Sequence, residues 1–172
     1  MPAWPWIERT FHFDFPVEKF PDIMERFRGT PARLEDRVRG LSRAVLTWSD
    51  GGWSMLENIG HLLDLEHLPS CRLDELLAGR DVLTAADMSN RQTVEAAHNT
   101  RDVATLLQEF RDARLELCAR FDALSPTQWG LTATHPRLRK AMRTVDLVYF
   151  TCEHDDYHLA RIGELVCKAP RS

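Results

Sequence analysis

Trp53-Ser54-Met55-Leu56-Glu57-Asn58-Ile59-Gly60-His61 reads as the opening of a helix. In the Ser-x-x-Glu spacing the serine hydroxyl accepts a free backbone N–H of the first turn. The glutamate reaches back to the serine's own N–H, so two orphan donors are satisfied reciprocally. Gly51-Gly52 supplies the turn before it, and Leu56, Ile59, Leu62, Leu63 and Leu76 supply an apolar face. Pro69 has no N–H, and its ring clashes with the preceding turn, so the helix is expected to kink or divide there. Gly79 is the expected stop.

Working outward, residues 80 to 99 are polar, turn-rich and without a period, which suggests a crossover rather than a tight hairpin. Val103, Leu106, Leu107, Phe110, Leu117, Cys118, Phe121 and Leu124 then make the strongest amphipathic pattern of the chain. Ser125-Pro126 ends that helix, a loop with His135-Pro136 follows, and a last helix is expected from Thr144 to Cys167. Upstream, a shorter helical piece from about Val17 to Phe27 precedes Thr30-Pro31. That pair reads as an N-cap followed by proline at the first helical position. Leu34, Val38, Leu41 and Val45 continue the stripe. Phe11, Phe13 and Phe15 alternate before Pro16, the period of an extended segment, so residues 1–16 read as an arm laid over the body or over a neighbouring subunit. The fold expected is all-α: a single domain over residues 1–172, a four-helix bundle with one long crossover connection and an extended aromatic N-terminal arm.

The totals agree with that reading. A chain of 172 residues, 44% hydrophobic and 28% charged, is long enough for one well-formed core and too apolar for disorder. The net charge of −4, with both signs interspersed, lacks the basic field that displaces counterions from nucleic acid. Arg137-Leu138-Arg139-Lys140 is short enough to be a solvated loop. No apolar run reaches the length of a membrane span, and Met1-Pro2-Ala3-Trp4-Pro5-Trp6 lacks the pattern of a signal peptide, so a cytoplasmic protein is expected. Cys71, Cys118, Cys152 and Cys167 form no CxxC pair and sit in apolar helical patterns. They are expected to be buried free thiols.

The chemistry lies in the histidines. His154 and His158 are four apart in His154-Asp155-Asp156-Tyr157-His158, so one helix face carries both imidazoles. Buried imidazoles need partners: either carboxylates and hydroxyls satisfy them, or a metal does. A third imidazole, His61, lies among leucines on the capped helix, with Glu57 one turn before it and Asp64 nearly one turn after. Either carboxylate could accept the imidazole's second N–H or join the ligands, although capping is the stronger role for Glu57. Three imidazoles would leave the fourth position of a tetrahedral ion open. Asp155 projects about 100° from His154, so it and Asp156 are expected to face solvent or to support the ligands from behind. Arg161 is expected to pair with a carboxylate, with an anionic substrate as its alternative, Tyr157 to pack away from the ligands, and His12, His67 and His98 to lie on the surface. His135 is expected in a turn, with the site mouth as its alternative, and Trp48, Trp53 and Trp129 in core and lid packing.

Trp53-Ser54-Met55-Leu56-Glu57, Gly60-His61-Leu62-Leu63-Asp64 and His154-Asp155-Asp156-Tyr157-His158-Leu159 together resemble the DinB/YfiT-like family of bacterial metal-binding four-helix bundles. Arg28-Gly29-Thr30-Pro31-Ala32-Arg33-Leu34-Glu35 and Thr134-His135-Pro136 also fit, so the likeness covers nearly the whole chain. The resemblance implies a divalent metal ion, zinc or nickel, held by His61, His154 and His158. It also implies a small-molecule substrate, a low-molecular-weight thiol such as bacillithiol or mycothiol as partner, and a homodimer. Two functions follow as expectations: a metalloenzyme activating water or a thiol, as a thiol S-transferase or hydrolase, or a non-catalytic metal or small-ligand binding protein of a stress response.

Overall fold

The computed structural model describes residues 2–170. Four helical arms make the bundle. The first is broken into α1 (Phe20–Arg28) and α2 (Thr30–Val38), followed by a single turn, α3 (Arg43–Leu46). The second is divided into α4 (Met55–Leu65) and α5 (His67–Leu77). A long crossover carrying the short α6 (Arg91–Glu95) leads to α7 (Val103–Asp122), and α8 (Thr144–Lys168) closes the bundle. Helix α8 packs on α1, α2, α4 and α5, and α7 packs on α1, α2 and α4. No helix among the described residues is long and apolar enough to cross a membrane.

The punctuation works through local chemistry. Ser54 Oγ accepts the Glu57 N–H at 3.2 Å, and Glu57 Oε2 accepts the Ser54 N–H at 2.8 Å, completing the reciprocal cap of α4. Pro69 offers no N–H to the Leu65 carbonyl one turn earlier, and the helix breaks at Glu66 between α4 and α5. At the end of α5 the chain turns at Gly79, whose φ of +68° a residue with a Cβ adopts at a cost. The Arg80 N–H closes back on the Glu75 carbonyl at 2.9 Å. The α2 stripe stops earlier than its spacing predicts, because Gly40 turns the chain at φ +73° and Leu41 lies beyond the helix. Thr30 is no cap: it is the first residue of α2, and its hydroxyl donates to Asp155 Oδ2 at 2.8 Å.

One non-helical element adds to the expected architecture. β1 (Thr132–His135) pairs antiparallel with β2 (Lys140–Arg143), in a register from Thr132 opposite Arg143 to His135 opposite Lys140. An isolated parallel bridge joins Val82 of the crossover to Thr134. The aromatic arm packs on its own chain. Phe11 is buried against Trp6 and Phe150, at ring separations of 5.1 and 4.8 Å. Lys140 Nζ donates to the Phe11 carbonyl, and Arg143 donates to those of Phe13 and Phe15. The cysteines are all free, but only Cys118 and Cys152 are buried; Cys71 and Cys167 are exposed, on the outer sides of their helices.

The core has two apolar clusters, one around Phe27, Phe121, Trp129 and Leu147, the other around Leu34, Ile59, Phe110 and Ile162. Arg114 of α7 touches both, its guanidinium lying 3.9 Å from the Phe27 ring and 5.0 Å from the Phe110 ring. It is fully buried and donates to both oxygens of Glu66 at 2.9 and 2.6 Å. It also donates to Asp155 Oδ2 at 2.7 Å and to the Phe27 carbonyl at 3.0 Å. Removing the cation would strand two carboxylates in the interior. Arg114→Ala is therefore expected to lower the unfolding free energy by about 3–5 kcal/mol, measured by urea titration. A loss below about 1 kcal/mol, the scale of an exposed pair, would contradict this account.

Candidate metal centre

Helix α4 presents Asn58, His61 and Asp64 at three-residue intervals, and α8 presents His154 and His158 one turn apart, so the two faces meet imidazole to imidazole. The ring centroids stand 5.3 Å apart for His61 and His154, 4.8 Å for His61 and His158, and 4.5 Å for His154 and His158. One ring nitrogen from each lies within 4.8 Å of the other two. His154 Nε2 and His158 Nε2 face each other at 3.2 Å.

The neighbours assign the tautomers. Asn58 spends its amide hydrogens on the carbonyls of Ser54 at 2.7 Å and Trp53 at 3.3 Å, which leaves its Oδ1 to face His158 Nδ1 at 2.8 Å. An amide oxygen only accepts, so His158 Nδ1 carries the hydrogen and its Nε2 is a bare lone pair. His61 Nδ1 lies 3.0 Å from Thr93 Oγ1, whose hydroxyl already donates to Asp64 Oδ2 at 2.8 Å. His61 must then donate as well, and its Nε2 is bare too. Asp64 Oδ2 also accepts from His98 Nε2 at 2.9 Å, which anchors the relay.

Protonation is a poor way to satisfy these lone pairs. Burial, reinforced by the neighbouring His154, pushes His61 down to about 3. Burial and then Arg114 and Arg137 push His154 to about 3. Burial, His154 and His61 hold His158 well below the usual histidine range. Near pH 7 the three rings are neutral and aim donor nitrogens at a common centre, a set that suits a cation able to accept imidazole. Aromatic walls enclose it: Trp53 lies 4.7 Å from the His61 ring, Trp6 meets His154 edge-on at 5.0 Å, and Tyr157 meets His158 edge-on at 4.9 Å. A cavity of about 420 Å³ opens over the cluster between these rings and the Ala86–Met88 stretch of the crossover.

Residues 26–162 match the model of the DinB superfamily. The chain belongs to the DinB superfamily. A solved structure described as YfiT from Bacillus subtilis, a probable metal-dependent hydrolase with an unusual four-helix bundle topology, shares the fold. Its TM-score is 0.81 at 19% sequence identity, over 96% of each chain. No curated protein sequence matches the chain.

Within this DinB-superfamily chain, Glu57 is committed to its cap, as its spacing suggested, and Arg161 pairs with carboxylates, those of Asp50 and Glu164. His12 and His67 are exposed as expected. Four expectations need correction. Asp155 is neither solvent-facing nor behind the ligands: it is buried in the Arg114 pair, because 100° of rotation from His154 aims it at the core. Asp156, by contrast, lies on the outer face as expected, paired with Arg26 and Arg33. His98 is buried, drawn in by Asp64. Tyr157 touches the cluster, and His135 is a buried strand residue rather than a turn residue. Asp64 supports His61 only through Thr93.

Sequence reasoning passed over Asn58, Thr93 and Trp6. Asn58 shares the face of His61 and carried a signal; Thr93 and His98 sit in the aperiodic crossover and carried none. Gly60 did carry one, being a glycine inside a capped helix. A Cβ there would run into the His98 ring, whereas one at Gly163 would meet only the flexible end of Arg37. Gly60→Ala should therefore destabilise the fold by about 1–3 kcal/mol, the range of overpacked cores. Gly163→Ala should be neutral or stabilising, since alanine is the better helix former. Urea titration of both variants reads the difference, and equal effects would contradict the close packing of His98.

Proposed function

We propose that this chain is a divalent-metal-dependent enzyme acting on a small molecule, with His61, His154 and His158 as the metal ligands. The observation that carries the reading is the convergence of three neutral imidazoles, in two of which, His61 and His158, the partner of Nδ1 leaves Nε2 bare. Membership of the superfamily and the description of YfiT as a probable metal-dependent hydrolase support it. When bound, a zinc or nickel ion would supply Lewis-acid activation of a water or a thiol.

The remaining chemistry belongs to the chain. Asn58 and the Thr93–Asp64–His98 relay lock the imidazoles of His158 and His61 in the ligating tautomer, so orientation costs nothing at binding. Trp6, Trp53 and Tyr157 limit water around the cluster, which strengthens every electrostatic interaction inside it. Asp64 is engaged by Thr93 and His98 and Asp155 by Arg114, while Asp87, which lines the cavity, accepts the Ser89 and Arg91 N–H groups. A cation held by the three histidines would itself favour the ionised form of a nucleophile. Water and a low-molecular-weight thiol are the nucleophiles this reading favours, with hydrolysis and thiol S-transfer as the corresponding reactions.

Elemental analysis of untagged protein, equilibrated with zinc or nickel and then dialysed, is expected to find about one ion per chain. His61→Ala, His154→Ala and His158→Ala should each lose most of it while keeping a helical circular dichroism spectrum. Wild-type protein that retains no ion under any loading condition would refute the assignment. Turnover of ester and amide panels, with and without added bacillithiol or mycothiol, separates the hydrolase from the transferase.

A further inference from the structure

Beside the histidine cluster lies a second cavity, of about 330 Å³, which shares Trp6, Leu65, Met88 and His154 with the first. Its walls are largely apolar, from Leu62, Leu68 and Phe150 as well, but three cationic or donor groups converge on it. His135 is buried; its Nδ1 accepts the Leu138 N–H at 3.2 Å, so the hydrogen of the neutral ring is on Nε2, and that buried nitrogen has no partner. Arg137 lies over the rings of Trp6 and Phe150, at 5.6 and 5.8 Å, and its buried Nη2 also has no partner. Arg72, 3% exposed, donates only to the Thr84 carbonyl and forms no ion pair among the described residues.

Buried donors are almost always satisfied, so a cluster left open marks the place of an acceptor. The two carboxylates that border the cavity, Glu66 and Asp155, are taken by Arg114. Arg72 has Glu75 of its own helix nearby, whereas Arg137 has no carboxylate partner among the described residues, so one guanidinium of the cavity is left unmatched. We propose that this cavity is the substrate's anion subsite, and that the substrate is a small apolar monocarboxylate. Its carboxylate sits between Arg72, Arg137 and the His135 Nε2–H, and its apolar body runs along Leu62, Leu65 and Met88 toward His154. One unmatched guanidinium suits a monoanion; a phosphate dianion would leave a charge uncompensated in an apolar cavity. The volume admits a body of roughly ten non-hydrogen atoms, at about 30 Å³ for each water-sized volume. The proposal rests on the metal-centre reading for the reaction, while binding of the acid depends on the cavity alone.

Calorimetric titration of untagged full-length protein with phenylacetate and with phenylacetamide, its neutral isostere, tests this. The acid is expected to bind at least tenfold more tightly than the amide. Arg137→Met should abolish that discrimination, Arg137→Lys should restore part of it, and the surface variant Arg111→Gln should keep it in full. Equal binding of acid and amide, binding of neither, or discrimination that survives in a folded Arg137→Met would each overturn the proposal. Should Arg137→Met fail to fold, the comparison of acid with amide on the wild type still decides. Metal content of the same wild-type samples separates the two readings. Acid preference without metal defeats only the metal-centre assignment, and bound metal without acid preference defeats only the anion subsite.

Discussion

Arg114 holds the interior of this bundle together by an ion cluster that spans four chain segments. Its guanidinium binds Glu66 at the break between α4 and α5, Asp155 on α8 and the Phe27 carbonyl near the end of α1, all from α7. Two apolar clusters meet at its faces. An interior ion pair is weak evidence for net stability, because desolvation offsets most of its Coulomb energy. Its stronger effect is on register. A one-residue rotation of α8 would carry Asp155 about 100° away from Arg114 and leave charges unpaired, a penalty that leucine-on-leucine packing alone would not impose. The same rotation would carry His154 and His158 off the face of α4, so the ion cluster sets the phase on which the imidazole cluster depends.

Pro69 takes part in this arrangement. The helix breaks at Glu66, whose carboxylate meets Arg114, and α4 before the break presents His61 and Asn58 to α8. A proline that reads as a helix defect in sequence is, in the bundle, the hinge that lets one arm serve both the core and the site.

The elements that act through local chemistry were legible in the sequence: the Ser54–Glu57 cap, the break before Pro69, the turn at Gly79, and the i,i+4 pair His154 and His158 facing His61. What escaped depends on partners distant along the chain. β1 and β2 are four residues each, too short for an alternation to stand out, and the first is held in part by a bridge to Val82 some fifty residues earlier. His98 looked like a surface residue because nothing local shows that Asp64 and the missing side chain of Gly60 draw it in. Arg114 was discernible in principle. It lies one turn after Phe110 and three residues before Leu117, inside the apolar stripe of α7, and a charged residue in such a stripe must find carboxylates or destroy the core. Asp155 is hidden for the complementary reason: a 100° offset from His154 reads as pointing to solvent or behind the ligands, whereas in the bundle the neighbouring face of α8 is also interior.

The alternation along α8 also ties electrostatics to structure. His154 and Asp155 are adjacent in sequence, yet one turns to the cavity and the other to Arg114. The cation that Asp155 recruits acts back on its neighbour: after burial, Arg114 is the largest influence keeping a proton off His154, with Arg137 next. Two guanidiniums with separate duties, one pairing core carboxylates and one stacked on Trp6 and Phe150, thus share the effect of keeping that imidazole neutral. The charges that order the interior therefore also favour the neutral form of His154 that the proposed metal ligation requires.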